Sequence, residues 1–159
     1  MNYIIIENYT PENNSKIQKV NQHVRNNNPV VIYFYKDGCP FCERTTPEWD
    51  KLSNYLPSIT NDLLLLRINK LLYETLQSIG EKPMLYPNIR YIHGSHINTF
   101  KKEGDERNSK NLATWIQQQI SISKKQLQPY FLKKPKYKKS IRKRKINNKF
   151  SKRRRQYYM

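Results

Sequence analysis

The chain reads as one α/β domain, a central sheet with helices on both faces, followed by a basic tail. Three observations predict this. Short apolar runs of strand length alternate with helical stretches, which is the pattern of parallel strands joined by crossovers. Two such runs near residue 95 are separated only by His93-Gly94-Ser95-His96, the pattern of a closing hairpin. Charge is also split along the chain: 123–159 carries sixteen Lys and Arg and no acid, whereas 1–122 carries fourteen basic and twelve acidic residues, a net of 14 − 12 = +2.

Each element has its own signature. A short strand is expected over 3–7, then a helix over 11–24 announced by Thr10 as cap and Pro11 in the first turn. Residues 29–35 are continuously β-branched or aromatic, as in a strand covered on both faces. A helix opens at Cys39 and runs towards Leu56, with Pro47 inside it, where a proline removes a hydrogen bond and bends the axis; the plain alternative is a helix that stops there. Residues 63–68 form the next buried strand, and 71–79 reads as a helix ended by Gly80. Strands at 89–92 and 97–100 and a last helix over 109–122 complete a βαβαβαββα order. With 159 residues, 36% of them hydrophobic, the chain has material for one modest core.

Cys39-Pro40-Phe41-Cys42 is the stretch that carries chemistry. It follows a strand and opens a helix, so two thiols fall on a first turn whose N–H groups lack internal partners and favour an anion. A free cysteine titrates at about 8.5, and thiols in such settings fall to roughly 3.5–7.5. Pro40 suits a helix start, because its missing N–H and fixed φ cost nothing there. These are the only two cysteines, so a structural metal site would need other ligands. His93 and His96 could supply them, but lie about 20 Å along a strand beyond Pro87 at about 3.3 Å per residue, and read instead as a polar turn. No metal and no cofactor is expected. The longest aliphatic stretch, 63–66, is far too short to span a bilayer, and residues 1–7 lack the basic start of a signal peptide. These features point to an intracellular, reducing setting, cytoplasmic or nuclear, where a lone cysteine pair is more often catalytic than structural.

Four features in order resemble the thioredoxin family, and in particular the catalytic domains of protein disulfide isomerases. They are the strand 30–35 before Cys39-Pro40-Phe41-Cys42; Pro47 five residues past the second cysteine; Leu85-Tyr86-Pro87-Asn88-Ile89, similar to the family's cis-proline segment; and the stretch from Phe100 to Arg107 leading to Leu112, Trp115 and Ile116. The resemblance covers roughly 1–122 and implies a thioredoxin fold with a central mixed sheet. It implies that Cys39 is the exposed nucleophile and Cys42 the partly buried resolving thiol, with Pro40, Phe41 and Pro47 as structural parts of the site. It further implies that Tyr86 and Pro87 receive an extended substrate chain beside the sulfurs. A trans, strand-entry proline is the plain alternative for Pro87. The implied reaction is thiol–disulfide exchange that reduces, oxidises or isomerises protein disulfides.

Departures matter as much. The family usually carries a buried acid six residues before the first cysteine; here Tyr33 stands there, and a tyrosine titrating near 10 is no base at neutral pH without a large shift. Gly38 stands where the family often has tryptophan. The Lys36-Asp37-Gly38 approach and the Pro-aromatic pair resemble glutaredoxins, which implies a potential less reducing than thioredoxin's. The Thr-Val-Pro segment and Gly-Gly pair by which glutaredoxins hold glutathione are missing from the sequence, so glutathione is the weaker reading. The tail 123–159 has too little apolar content to fold and is expected to be disordered, with nucleic acid, another polyanion or targeting as its use. Abundant Lys, Asn, Ile and Tyr with such a tail also resemble thioredoxin-like proteins of large DNA viruses, for which a virion location would follow. The competing function is a binding module of low turnover anchored by the tail.

Overall fold

The computed structural model describes residues 2–56 and 62–132, and the side chains of these except 105 and 127–132. Five strands form one sheet in the order β1-β3-β2-β4-β5. β1 (Asn2–Ile6), β3 (Leu64–Asn69) and β2 (Val30–Tyr35) run parallel, while β4 (Asn88–His93) pairs antiparallel with β2 and with β5 (His96–Thr99). The expected central mixed sheet is present.

Alternation along β2 divides the core. Val30, Ile32 and Phe34 pack with Ile17, Val20 and Val24 of α1 (Pro11–Arg25) on one face. Val31 and Tyr33 pack on the other with Trp49 of α2 (Pro40–Asp50) and with Leu112 and Ile116 of α3 (Ser109–Leu132). A strand buried on both faces has to be apolar at every position, and β2 is the strand to which the cysteine segment is attached. Thr10 caps α1 as expected, its Oγ1 accepting the Asn13 N–H at 3.1 Å.

Three element boundaries and one turn differ from expectation. α2 passes through Pro47, as expected, but ends at Asp50, and a separate 3₁₀ turn covers Leu52–Asn54. The expected helix at 71–79 is instead a 3₁₀ segment, Lys70–Thr75, followed by irregular chain with Ser78 at φ +57°. The cause lies in α1. Asn21 is buried, its side-chain amide donates to Thr75 O at 2.9 Å, and its side-chain oxygen accepts the Gln77 N–H at 3.0 Å. Both backbone groups are thereby taken by a side chain rather than by the next helical turn. α3 continues to Leu132, so the position expected to end the domain, 122, falls inside a helix. Ser123 is fully buried, its hydroxyl 2.9 Å from both Tyr91 OH and His93 Nδ1. The expected tail beyond 132 lies outside the described residues. Finally, His93 and His96 are not a free polar turn: His96 Nε2 lies 3.0 Å from Gln119 Oε1, and both histidines dock the hairpin onto α3.

The irregular chain after Thr75 is pinned again from below. Arg90 is buried in β4, donates to Ile79 O, and lies over the Phe34 ring. Gly80 has φ +88°, and a Cβ there would sit 3.1 Å from the Arg90 guanidinium, so both the turn and the close approach call for glycine. This segment leads directly to Tyr86 and Pro87. Replacing Asn21 with Ala removes the partner of two partly buried backbone groups, at a cost of about 1 kcal/mol. The Asn21→Ala protein is expected to melt several degrees lower, with faster hydrogen exchange at the Gln77 amide. Exchange at Gln77 as slow as in the parent would contradict this role.

Candidate functional site

The chain leaves β2 through Lys36 and Asp37 and turns at Gly38, whose φ is +64°. A Cβ at Gly38 would meet nothing, so the positive φ, and not crowding, is what favours glycine over the bulky residue expected there. Asp37 accepts from the Asn69 side chain at 2.9 Å, fastening the turn to the end of β3. Lys36 is exposed, as a solvated surface charge.

Cys39 is the N-cap of α2. Its Sγ accepts the Cys42 N–H at 3.3 Å, the role a serine or aspartate oxygen usually takes at a helix start. Pro40 then occupies the first helical position. The Cys39 and Cys42 sulfurs are 2.6 Å apart, and both are free thiols. One expectation is corrected: Cys39 was expected to be exposed, yet only 6% of it is accessible, against 3% of Cys42. Its sulfur sits under Tyr86, whose carbonyl oxygen is 3.7 Å away and accepts from the thiol. The Tyr86–Pro87 peptide is cis, and Pro87 is buried immediately before β4. The structure thus brings Cys39, Cys42 and the Tyr86 backbone to one place. Phe41 within the motif, and Met84 and Leu85 just before Tyr86 in the chain, are 51%, 94% and 79% exposed.

Burial pushes the Cys42 thiol up to about 12, helped by its hydrogen bond to Cys39. A backbone hydrogen bond from Lys36 and the charge of Arg107 oppose the rise. Tyr33, standing where an acid was expected, is fully buried, and burial raises it further from any role as a base. Its hydroxyl donates to Cys42 O at 3.0 Å and lies 3.0 Å from Thr46 Oγ1, so it serves the α2 backbone rather than the thiol. Its ring packs on Trp49, with centroids 5.2 Å apart. Pro47 lies inside the helix one turn further on. Among the described residues, no three His, Cys, Asp or Glu side chains are grouped as a metal site would need, and no helix is long and apolar enough to cross a membrane.

A profile of the thioredoxin family, described as Thioredoxin, matches residues 12–118. The chain belongs to the thioredoxin family. Its fold is the thioredoxin fold. Among solved structures, human ERp44 form II is similar at TM-score 0.50 and 18% identity, covering 74% of this chain and 30% of that one. ERdj5 form II is similar at TM-score 0.50 and 14% identity, covering 70% and 14%. The first thioredoxin domain of mouse protein disulfide-isomerase A4 is similar at TM-score 0.47 and 17% identity, covering 62% and 67%. The chain spans about half, 52%, of the J-Trx1 fragment of ERdj5. No curated protein sequence matches significantly.

Three residues of this thioredoxin-family site were not singled out from the sequence. Arg107 acts on Cys42 through its charge, and Arg44 lies 4.9 Å from the Phe41 ring centroid; both are basic residues in a basic chain and carry no periodic signal. Glu48 is the third. Its Oε2 accepts both the N–H and the hydroxyl of Ser109 at 2.9 and 3.0 Å, and Oε1 accepts from Lys51 at 2.9 Å, so α2 caps the start of α3. The Ser109 N–H first, then Lys51 and the Ser109 hydroxyl, hold the carboxyl down at about 2. A carboxyl lowered on folding contributes stability above its ordinary value of about 4.3, and that contribution is lost as pH falls towards 2. In urea titrations between pH 6 and 2, the parent is expected to lose stability more steeply than Glu48→Gln below about pH 4.5. Identical acid limbs would contradict the cap.

Proposed function

We propose that the protein is a protein thiol–disulfide oxidoreductase working through Cys39 and Cys42. The observation that carries this reading is the Cys39 sulfur placed as helix cap, receiving a backbone N–H, with a second free thiol 2.6 Å away. Membership of the thioredoxin family supports it.

The steps follow from that placement. Cys39 as thiolate attacks one sulfur of a substrate disulfide; a Cys39–substrate bond forms, the substrate S–S bond breaks, and the departing sulfur takes up a proton. Cys42 then gives up its proton and attacks the Cys39 sulfur, releasing the second substrate thiol. The pair has lost two electrons to become a disulfide, and the substrate disulfide has become two thiols. A thiol reductant returns the pair to the starting state, and the same steps in reverse oxidise a dithiol. The Tyr86 backbone, whose carbonyl is 3.7 Å from the Cys39 sulfur, would hold an extended substrate chain by strand-like hydrogen bonding. Burial makes Cys42 slower than a free thiol to give up its proton, and Tyr33, committed to the helix backbone, does not take it.

Insulin reduction with dithiothreitol as electron donor tests this. Cys39→Ser is expected to fall to the uncatalysed rate, and Cys42→Ser to accumulate a mixed disulfide with substrate on non-reducing gels. Parental turnover in Cys39→Ser would end the reading.

We also propose that the basic carboxy-terminal segment tethers the enzyme to a polyanion, nucleic acid foremost. Its support is composition: fourteen Lys and Arg and no acid over 133–159. Because Ser123 is packed against Tyr91 and His93, a clean truncation starts after Leu132 and not at 123. Removal of 133–159 is expected to abolish retention on double-stranded DNA or heparin at 0.15 M salt, from which the full chain elutes only at higher salt. Equal elution of the two forms would contradict the tether.

A further inference from the structure

A cavity of about 260 Å³ lies between α2 and the segment that leads into α3, walled by Phe41, Arg44, Thr45, Glu48, Gly104 and Arg107. Phe41, one of its walls, stands between the two cysteines in sequence and is half exposed, so the cavity adjoins the cysteine motif. On the other wall Arg107 is close enough for its charge to act on Cys42.

The charges in this cavity are unevenly satisfied. Glu48 is fully engaged, one oxygen with Lys51 and the other with Ser109 twice. Among the described side chains, neither Arg44 nor Arg107 has a carboxylate within 4 Å. Arg44 lies over the Phe41 ring, 4.9 Å from its centroid, and a guanidinium so placed can still offer its N–H groups to a planar acceptor. Two guanidinium groups facing one cavity from opposite walls favour a two-oxygen acceptor over a point charge, and the volume suits a side chain rather than a large cofactor.

We propose that this cavity receives an acidic side chain of the substrate polypeptide, held by Arg44 and Arg107, so that disulfides flanked by Asp or Glu are preferred. The proposal deepens the oxidoreductase reading and rests on it for the identity of the occupant. Occupation also fixes the direction of the bound chain, from the Tyr86 carbonyl past Cys39 to the Phe41 side of α2.

Synthetic disulfide peptides that differ only in carrying Asp, Asn or Lys, moved through the four positions on each side of the reactive cysteine, test it with the full-length protein. At one position the Asp peptide is expected to show kcat/KM about tenfold above its Lys counterpart, a preference that shrinks with added salt. Arg44→Glu is expected to invert that order, and Arg44→Gln to flatten it. Ratios within twofold at all positions, or a preference unchanged in Arg44→Glu, overturn the proposal. A second readout does not require turnover: with serine in place of the peptide cysteines, the Asp form is expected to shift the ¹⁵N resonances of the Arg44 and Arg107 Nε–H groups, and the Lys form is not. Arginine shifts without turnover of any peptide would uphold the cavity and sink the oxidoreductase reading. Turnover with neither discrimination nor arginine shifts would do the reverse.

Discussion

The site depends on one hydrogen bond, from the Cys42 N–H to the Cys39 sulfur at the start of α2. A helix start carries orphan donors that something must satisfy, and here the group that satisfies one of them is also the atom proposed to react. The rest of the fold can be understood as holding that arrangement still. β2 is buried on both faces and delivers the chain to Gly38; the turn at Gly38 aims Cys39; Tyr33 reaches across from β2 to tie down the carbonyl of Cys42.

The second constraint comes from the opposite side of the sulfurs. Tyr86 and Pro87 end an irregular stretch that takes its position from side chains far away in sequence, Asn21 in α1 and Arg90 in β4. Both are buried polar groups with their hydrogen bonds directed at that stretch, which is how a segment without regular structure acquires one conformation. The cost of enclosing Cys39 is access: with the residue 6% exposed, a partner reaches it only over the small surface left open.

Much of this was legible in the sequence, for identifiable reasons. β2 declared itself because burial on two faces leaves no room for polar residues, and α1 because Thr10 and Pro11 are start signals of local origin. The cysteine pair, Pro47 and Pro87 were legible because their spacing resembles a known pattern. What was illegible depends on partners distant in the chain. The 71–79 stretch has the composition of a helix, and only Asn21, more than fifty positions earlier, takes the backbone groups a helix would use. The end of α3 was hidden because Ser123 and Gln119 look like solvent-facing residues until the hairpin histidines are placed against them. Burial of Cys39 was illegible for the same reason, since Tyr86 approaches it from a remote loop.

The two thiols are chemically unequal, Cys42 being raised by burial and by its bond to Cys39, and selective alkylation reads that inequality most directly. The reduced full-length protein is treated with a limiting amount of iodoacetamide at neutral pH, and modification is assigned by mass spectrometry. The account predicts that Cys39 carries nearly all of the label while Cys42, a buried thiol held protonated, carries almost none. Equal labelling of the two, or labelling first at Cys42, would contradict it.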